Sequence, residues 1–235
     1  MNRLHLAGFW LVACGLVWCP ASRSAGAQQG SGGGQSAAKP NYPSDIYPDS
    51  RARIPLLKRE DFTTEEEKKA FDRIVSRDNS VPTNATGIRL HMPIMSEYYR
   101  LANNWLRDHG GLEPRYEELA ILVASRESNG ANEWIGHERS GLQAGLSQEI
   151  IDIIKHKKDT KGLAEKDEVI IRLGREMHRE PKVTSKTYAD MERLFGRRAT
   201  LAIASLIVHY SASAMLLRVY DVQLRPDEKP PFPSH

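Results

Sequence analysis

The sequence predicts an all-α protein, a helical bundle of about seven helices, and three observations support this fold class. Apolar residues recur at spacings of three and four along most of the chain, which is the period of a helix with one buried face. Several of these stretches begin at a hydroxyl or acidic residue and end at glycine or proline. No stretch keeps the alternating pattern of a half-buried strand.

The expected helices can be justified in chain order from their start and stop signals. Thr63 and Thr64 precede three glutamates, which is typical of a helix start. Ser147 caps a helix after the stop at Gly145, and Ser185 caps a later one that ends at Gly196. The remaining predicted helices cover residues 94–109, 116–126, 131–143, 165–180 and 198–222, and residues 77–87 are predicted to be a loop.

The stretch 198–222 is the longest apolar one beyond the N-terminal region, and its length would suffice to span a bilayer. Polar residues interrupt it, among them His209, Tyr210 and Arg218. We therefore interpret it as a central buried helix and expect no stable membrane insertion of the mature chain.

The first 27 residues have the features of a secretory signal. Arg3 gives a positive start, residues 4–18 form an apolar run too short to span a membrane comfortably, and residues 25–27 are small. We expect an exported protein, periplasmic or secreted. The alternative is a lipoprotein anchored at Cys14.

The only cysteines, Cys14 and Cys19, lie inside this signal. The cleaved chain would therefore contain neither a disulfide nor a reactive thiol.

The rest of the chain divides by composition. Residues 28–53 are rich in Gly, Ser, Gln and Pro and are predicted to be a flexible linker. Residues 54–226 are predicted to be the helical domain, and residues 227–235 a loose tail. The net charge of +3 is near neutral for 235 residues. The basic run 155–161 has no interleaved aromatic residues, so we expect no nucleic-acid partner.

Glu118 lies in the most apolar of the internal helices. Residues 119–124 cover nearly every direction around the helix axis, which indicates burial on most sides. A carboxylate buried there must be paired, hydrogen-bonded or protonated. The alternative is that Glu118 lies at the exposed start of the helix, where acids favour the positive end of the dipole.

Glu133 and His137 lie four residues apart on the next helix and so share one face. Ser140, Gly141 and Ala144 continue that face, which leaves room beside the imidazole. The alternative is a surface pair beside a stripe of small residues that lets another helix approach.

The order of Glu118, then Glu133-Trp134-Ile135-Gly136-His137-Glu138, then residues 145–151 resembles the carboxymuconolactone decarboxylase and alkylhydroperoxidase superfamily. It is most similar to the cysteine-free, decarboxylase-like branch, and the resemblance covers about residues 53–226. In the hydroperoxidase branch a Cys-x-x-Cys opens the second helix. Gly130 and Glu133 occupy those two positions here, which removes the redox-active thiols.

The resemblance implies general acid–base catalysis by a lyase or isomerase acting on a small lactone or carbonyl acid. His137 would donate the proton, Glu118 would orient the imidazole and hold it protonated, and Glu133 would bind the substrate or relay protons. No metal-ligand spacing, phosphate loop or nucleophile elbow is present in the sequence. We therefore expect no cofactor and no metal.

Further residues are candidates for substrate binding: Arg89, His91, Trp134, His209 and Tyr210. In the resembled family the segment equivalent to His91-Met92-Pro93 approaches the pocket, although a histidine before a helix is more often a cap or a surface group. Arg89 or Arg126 would supply a cation for a substrate carboxylate. Ser205, His209 and Ser213 form a polar line, either a seam between helices or a pocket wall.

The resemblance also implies a homo-oligomer, a trimer or hexamer, and leaves two alternative functions. A peroxidase-like activity is disfavoured because the mature chain would lack cysteine, and a non-catalytic binding oligomer is the other alternative. Export also makes the family's namesake an improbable substrate, since the decarboxylases of aromatic catabolism act in the cytoplasm.

Overall fold

A computed structural model describes residues 42–75 and 80–233. These residues confirm the all-α fold, because they form eight α-helices, one short 3₁₀ turn at Arg59–Asp61 and no strand beyond the isolated bridge between Tyr47 and Ala52. The predicted signal and the first part of the predicted linker lie outside the described residues. The helices are α1 Glu65–Ile74, α2 Ala85–Arg89, α3 Pro93–His109, α4 Pro114–Glu127, α5 Ala131–Gln143, α6 Gln148–Lys155, α7 Glu165–Arg179 and α8 Ser185–Val219.

The predicted helix starts match the structure closely, because the capping residues act as expected. Thr64 accepts a hydrogen bond from the Glu67 amide, and the Glu67 side chain returns one to the Thr64 amide. Ser147 caps α6. The N-cap of α8 is Thr184 rather than Ser185. The two helices predicted on either side of Gly196 are present as two helical segments of α8, because the backbone of Gly196 is non-helical, at φ 75°.

Helix α2 was not predicted, because it is short and begins inside residues 77–87, which were predicted to be a loop. Asn84 caps it by accepting from the Thr86 amide. A Cβ at Gly87 would lie 1.8 Å from the Pro82 carbonyl oxygen, so only glycine permits this close approach. The consequence for the site is that Arg89, at the end of α2, is held inside the fold.

Helix α4 lies at the centre of the domain. Its residues 119–124 are at most 1% exposed, as their all-round apolar pattern predicts. It packs against α5, α7 and α8. Helix α8 is long and apolar enough to cross a membrane, but 56% of its most apolar 18-residue window is buried within the fold.

The folded body extends beyond both predicted domain boundaries. Ile46 and Ala52, placed in the flexible linker, are buried, and the Arg53 amide donates to the Tyr220 carbonyl. At the other end Phe232, placed in the loose tail, is 8% exposed and packs edge-on against Trp134. Both segments have a low hydrophobic content, so they were predicted not to fold. A few apolar residues are nevertheless enough to hold a segment against the surface of a folded domain.

Helix α3 corrects a second expectation. Its apolar residues have the predicted helical spacing, yet only Pro93 and Ser96 are buried. Four apolar side chains expected to face inward are 40% to 69% exposed: Met95, Tyr98, Leu101 and Trp105. Helix α8 also exposes a row of apolar residues, namely Leu201, Val208, Met215 and Val219. The spacing predicts the helix correctly but does not tell which surface covers its apolar face.

Candidate active site

Glu118 and His137 face each other across the α4–α5 hairpin. The Glu118 residue is 2% exposed, and its Oε2 atom lies 2.7 Å from Nδ1 of His137. Gly141 permits the close approach of the two helices, because a Cβ there would lie 3.2 Å from a Leu122 methyl carbon. Of the two interpretations of Glu118, the structure therefore supports the buried and paired one.

Arg107 of α3 holds the second oxygen of the Glu118 carboxylate. Its Nη2 donates to Oε1 of Glu118 over 2.7 Å, and its Nη1 donates to the Tyr210 hydroxyl over 3.2 Å. Its Nε lies 3.7 Å from Oε2 of Glu117. Burial opposes ionisation of Glu118, but the bonds to His137 and Arg107 outweigh it and lower the pKa of that carboxyl.

The ionised state of Glu118 fixes the roles of the two imidazole nitrogens. A carboxylate only accepts hydrogen bonds, so we assign a proton to Nδ1 of His137, which donates to Glu118. The Nε2 atom has no hydrogen-bond partner among the residues that the structure describes. The ring keeps 17% side-chain exposure and meets the Tyr210 ring edge-on, with centroids 5.0 Å apart. Nε2 is therefore the nitrogen available for proton transfer.

Glu133 precedes His137 by one turn of α5 and forms no hydrogen bond with any described residue. Burial raises the pKa of its carboxyl, and the positive charges of His137 and Arg89 only partly oppose this. The two acids of the site thus differ: hydrogen bonds to its partners lower the pKa of Glu118, whereas Glu133 has no such partner and its pKa is raised.

Arg89 approaches from α2. It is 8% exposed, its Nη2 donates to Oγ of Ser213 over 3.0 Å, and its guanidinium carbon lies 3.9 Å from the centre of the Tyr99 ring. Burial lowers the pKa of Arg89. Within the described part of the chain, no carboxylate forms an ion pair with it.

His209 joins Arg89 to the histidine site. Its ring lies 4.6 Å from Tyr99 and 5.4 Å from Tyr210, between centroids. Burial, assisted by the nearby charge of Arg89, lowers the pKa of His209 to about 4, so its imidazole is neutral at pH 7. Ser213 accepts from Arg89 and donates to the His209 carbonyl over 3.1 Å. The predicted polar line on α8 is thus part of the wall that links Arg89 to Tyr210.

A model of the carboxymuconolactone decarboxylase family matches residues 94–168, which run from α3 to the start of α7. This match supports the resemblance of this part of the chain to the carboxymuconolactone decarboxylase superfamily. The matched segment contains Arg107, Glu118, Glu133 and His137, whereas Arg89 and Tyr210 lie outside it. No curated protein matches the chain significantly.

Three candidates from the superfamily resemblance lie away from this cluster. Nε2 of His91 lies 2.9 Å from the Pro55 carbonyl oxygen, with which it shares a hydrogen bond. Trp134 is fully buried in the core and donates to Glu138 over 3.0 Å. Arg126 donates to the Lys155 carbonyl over 2.7 Å. Each has a structural partner that the sequence did not indicate, so we remove these residues from the candidate substrate-binding set.

Two residues of the site were not predicted. Arg107 and Tyr99 lie on α3, which was read as an ordinary amphipathic helix. Arg107 lies in the last turn of α3, where a basic residue is expected for dipole reasons alone. The unpartnered buried acid at Glu118 was the signal that a cation must come from elsewhere in the fold.

The donor set offers no evident metal centre. No cluster of three or more His, Cys, Asp and Glu side chains that would hold an ion occurs in the ranges that the structure describes. The groups of the site that are available for chemistry are its carboxyl groups, its imidazole and its guanidinium groups.

Proposed function

We propose that the protein is an acid–base enzyme of the decarboxylase type, a lyase or isomerase that acts on a small lactone or carbonyl acid and uses its own side chains without a cofactor. The observation that carries this proposal is the hydrogen bond between Nδ1 of His137 and Glu118, with Arg107 on the other carboxylate oxygen. This arrangement orients one imidazole nitrogen and leaves the other available.

The proposed reaction needs one proton donor over the reacting carbon. The carbon–carbon bond to the departing carboxylate breaks, carbon dioxide leaves, and the electron pair passes to the adjacent carbonyl system as an enolate. The protonated Nε2 of His137 then gives its proton to the carbon that lost carbon dioxide, and solvent protonates Nε2 again. General acid catalysis of this kind contributes about 10²- to 10⁴-fold.

The two acids would have separate roles. Glu118, ionised and bonded on both oxygens, would stabilise the imidazolium and fix its direction. Glu133, without a partner and with a raised pKa, would contact the substrate or relay a proton to it. An isomerase would use the same groups to move a proton between two carbons of the substrate.

Two alternatives remain distinct from this proposal. A peroxidase of the superfamily's hydroperoxidase type would need thiols, and the sequence has only Cys14 and Cys19, both in the predicted signal. Robust peroxide consumption with a thiol reductant would favour it. A non-catalytic binding oligomer would bind acids at this site without turning any of them over.

Assembly and export also belong to the proposal. The apolar residues that α3 and α8 expose would form the interface of a homo-oligomer, a trimer or hexamer, because monomers rarely expose large contiguous apolar patches. The first 27 residues would direct export, so the substrate would be one found outside the cytoplasm. We do not expect a nucleic-acid partner.

The test is turnover of a panel of lactone carboxylates and keto acids by the purified protein, followed by product analysis. Wild type is compared with His137→Ala and with a control, His156→Ala, whose side chain is exposed at the end of α6. We expect His137→Ala alone to lose at least 100-fold in kcat. Equal turnover by wild type and His137→Ala would remove His137 from the mechanism.

A further inference from the structure

We propose that Arg89 is the binding site for a substrate carboxylate. The inference rests on the proposed function and deepens it, because it names the group that holds the substrate. The bound carboxylate is one that the reaction retains, distinct from any carboxylate lost over His137.

The first step of the argument is the charge of Arg89. The residue is 8% exposed, yet its guanidinium contacts only a neutral hydroxyl, at Ser213, and the face of the Tyr99 ring. A buried charge without a counter-ion is costly, so proteins pair such groups or use them for a ligand. Every other buried arginine or carboxylate of this site has a charged partner or, like Glu133, a raised pKa.

The second step is the identity of the anion. A guanidinium presents its N–H groups in a planar fork that matches a carboxylate with two parallel hydrogen bonds. Among the described residues, the hydrogen bond of Arg89 runs from its Nη2 to Ser213. The guanidinium lies over the Tyr99 ring, which in turn contacts the ring of His209.

The third step is the set of charges around this position. Glu118 is already neutralised by Arg107 and His137. Burial also raises the pKa of the Tyr210 hydroxyl, which stays neutral at pH 7. His209 is neutral as well, since its pKa lies at about 4. The titratable side chains that interact electrostatically with Arg89 are Tyr99, Glu133 and His209.

The last step concerns Glu133, whose charge interacts with both Arg89 and His137. It forms no ion pair with Arg89, so it does not block the guanidinium.

The binding test uses propionate and its neutral isostere propionamide, measured by titration calorimetry at constant ionic strength. We expect wild type to bind propionate and not propionamide, and Arg89→Gln to bind propionate at least 10-fold more weakly. The matched control is Arg197→Gln, whose side chain is 89% exposed and pairs with Glu192. Equal affinity for acid and amide, or unchanged affinity in a folded Arg89→Gln, would overturn the assignment.

The same titration separates this inference from the proposed catalysis. His137→Ala is expected to bind propionate with unchanged affinity, because the imidazole is assigned to proton transfer and not to the carboxylate. If His137→Ala retains turnover but Arg89→Gln loses propionate binding, the catalytic role fails and the binding site stands. If His137→Ala loses turnover but Arg89→Gln binds propionate as wild type does, the binding site fails and the catalytic role stands.

Discussion

Glu118 accepts a hydrogen bond from Nδ1 of His137 over 2.7 Å, although the two residues lie on different helices and nineteen positions apart in the chain. The same carboxylate accepts from Arg107 of a third helix. Three helices thus meet at one buried carboxylate. Removing the side chain of Glu118 or Arg107 is expected to disturb both the fold and the direction of the imidazole.

Replacement of Arg107 tests this junction through its effect on the free energy of unfolding of the protein. The lowered pKa of Glu118 stabilises the fold above the ordinary pKa of a glutamate, and this contribution disappears as the pH falls through the folded-state value. Arg107→Gln removes part of the cause and leaves two acids, Glu117 and Glu118, without their cation. We expect a loss of about 1–3 kcal/mol at pH 7, measured by urea unfolding.

The Arg107→Gln difference should shrink on acidification, because protonated carboxyl groups no longer need the cation. The control Arg197→Gln removes an exposed ion pair and should change the free energy of unfolding by less than about 0.5 kcal/mol. A loss at pH 7 no larger than that of the control would show that Arg107 does not hold the junction.

His209 should also make the fold less stable in acid, because burial disfavours the charged form of its imidazole. Its pKa is lowered from 6.5 to about 4, so below pH 6.5 the unfolded chain binds a proton that the folded chain rejects. The stability therefore falls as the pH drops from 6.5 to 4, by less than about 3 kcal/mol in total, because solvent screens the half-buried ring. His209→Gln should remove this fall, which urea unfolding at a series of pH values measures directly. The same acid slope in both proteins would show that His209 is not the group responsible.

A single charge introduced into the exposed apolar row on α8 tests whether this surface forms an oligomer interface. Val208 is 58% exposed, so Val208→Lys should leave the monomer folded. If this surface forms an oligomer interface, the buried lysine would dissociate it, because an unpaired charge in an interface is costly. Light scattering after gel filtration should show an oligomer for wild type and a smaller species for Val208→Lys. Arg139→Glu, at an exposed position on α5, provides a control of charge change. A monomeric wild type would contradict the proposal.

The parts of the molecule that the sequence predicted depend on local information. Helix bounds follow from caps such as Thr64 and Ser147, and the burial of α4 follows from its all-round apolar pattern. The pairing of Glu118 with His137 followed from the superfamily resemblance together with the buried position of the acid. These features lie within one or two helices, where spacing alone restricts the geometry.

The parts that were missed depend on contacts between distant segments. Arg107 reaches Tyr210 across 103 positions, and Arg89 reaches Ser213 across 124. Nothing in the local pattern of either arginine distinguishes it from a surface residue. The contact of Trp134 with Phe232 was not predicted either, so Trp134 was expected to lie near the substrate. Phe232 lies in a tail whose composition looked too polar to pack against the domain.

The most direct test of the central claim is the origin of the proton in the product. In D₂O, wild type acting on a lactone carboxylate should release a product with one deuterium at the carbon that lost carbon dioxide, on a single face. His137→Ala should turn over at least 100-fold more slowly and give deuterium on both faces. An unchanged rate with the same single-face labelling in His137→Ala would contradict the claim that Nε2 of His137 delivers the proton.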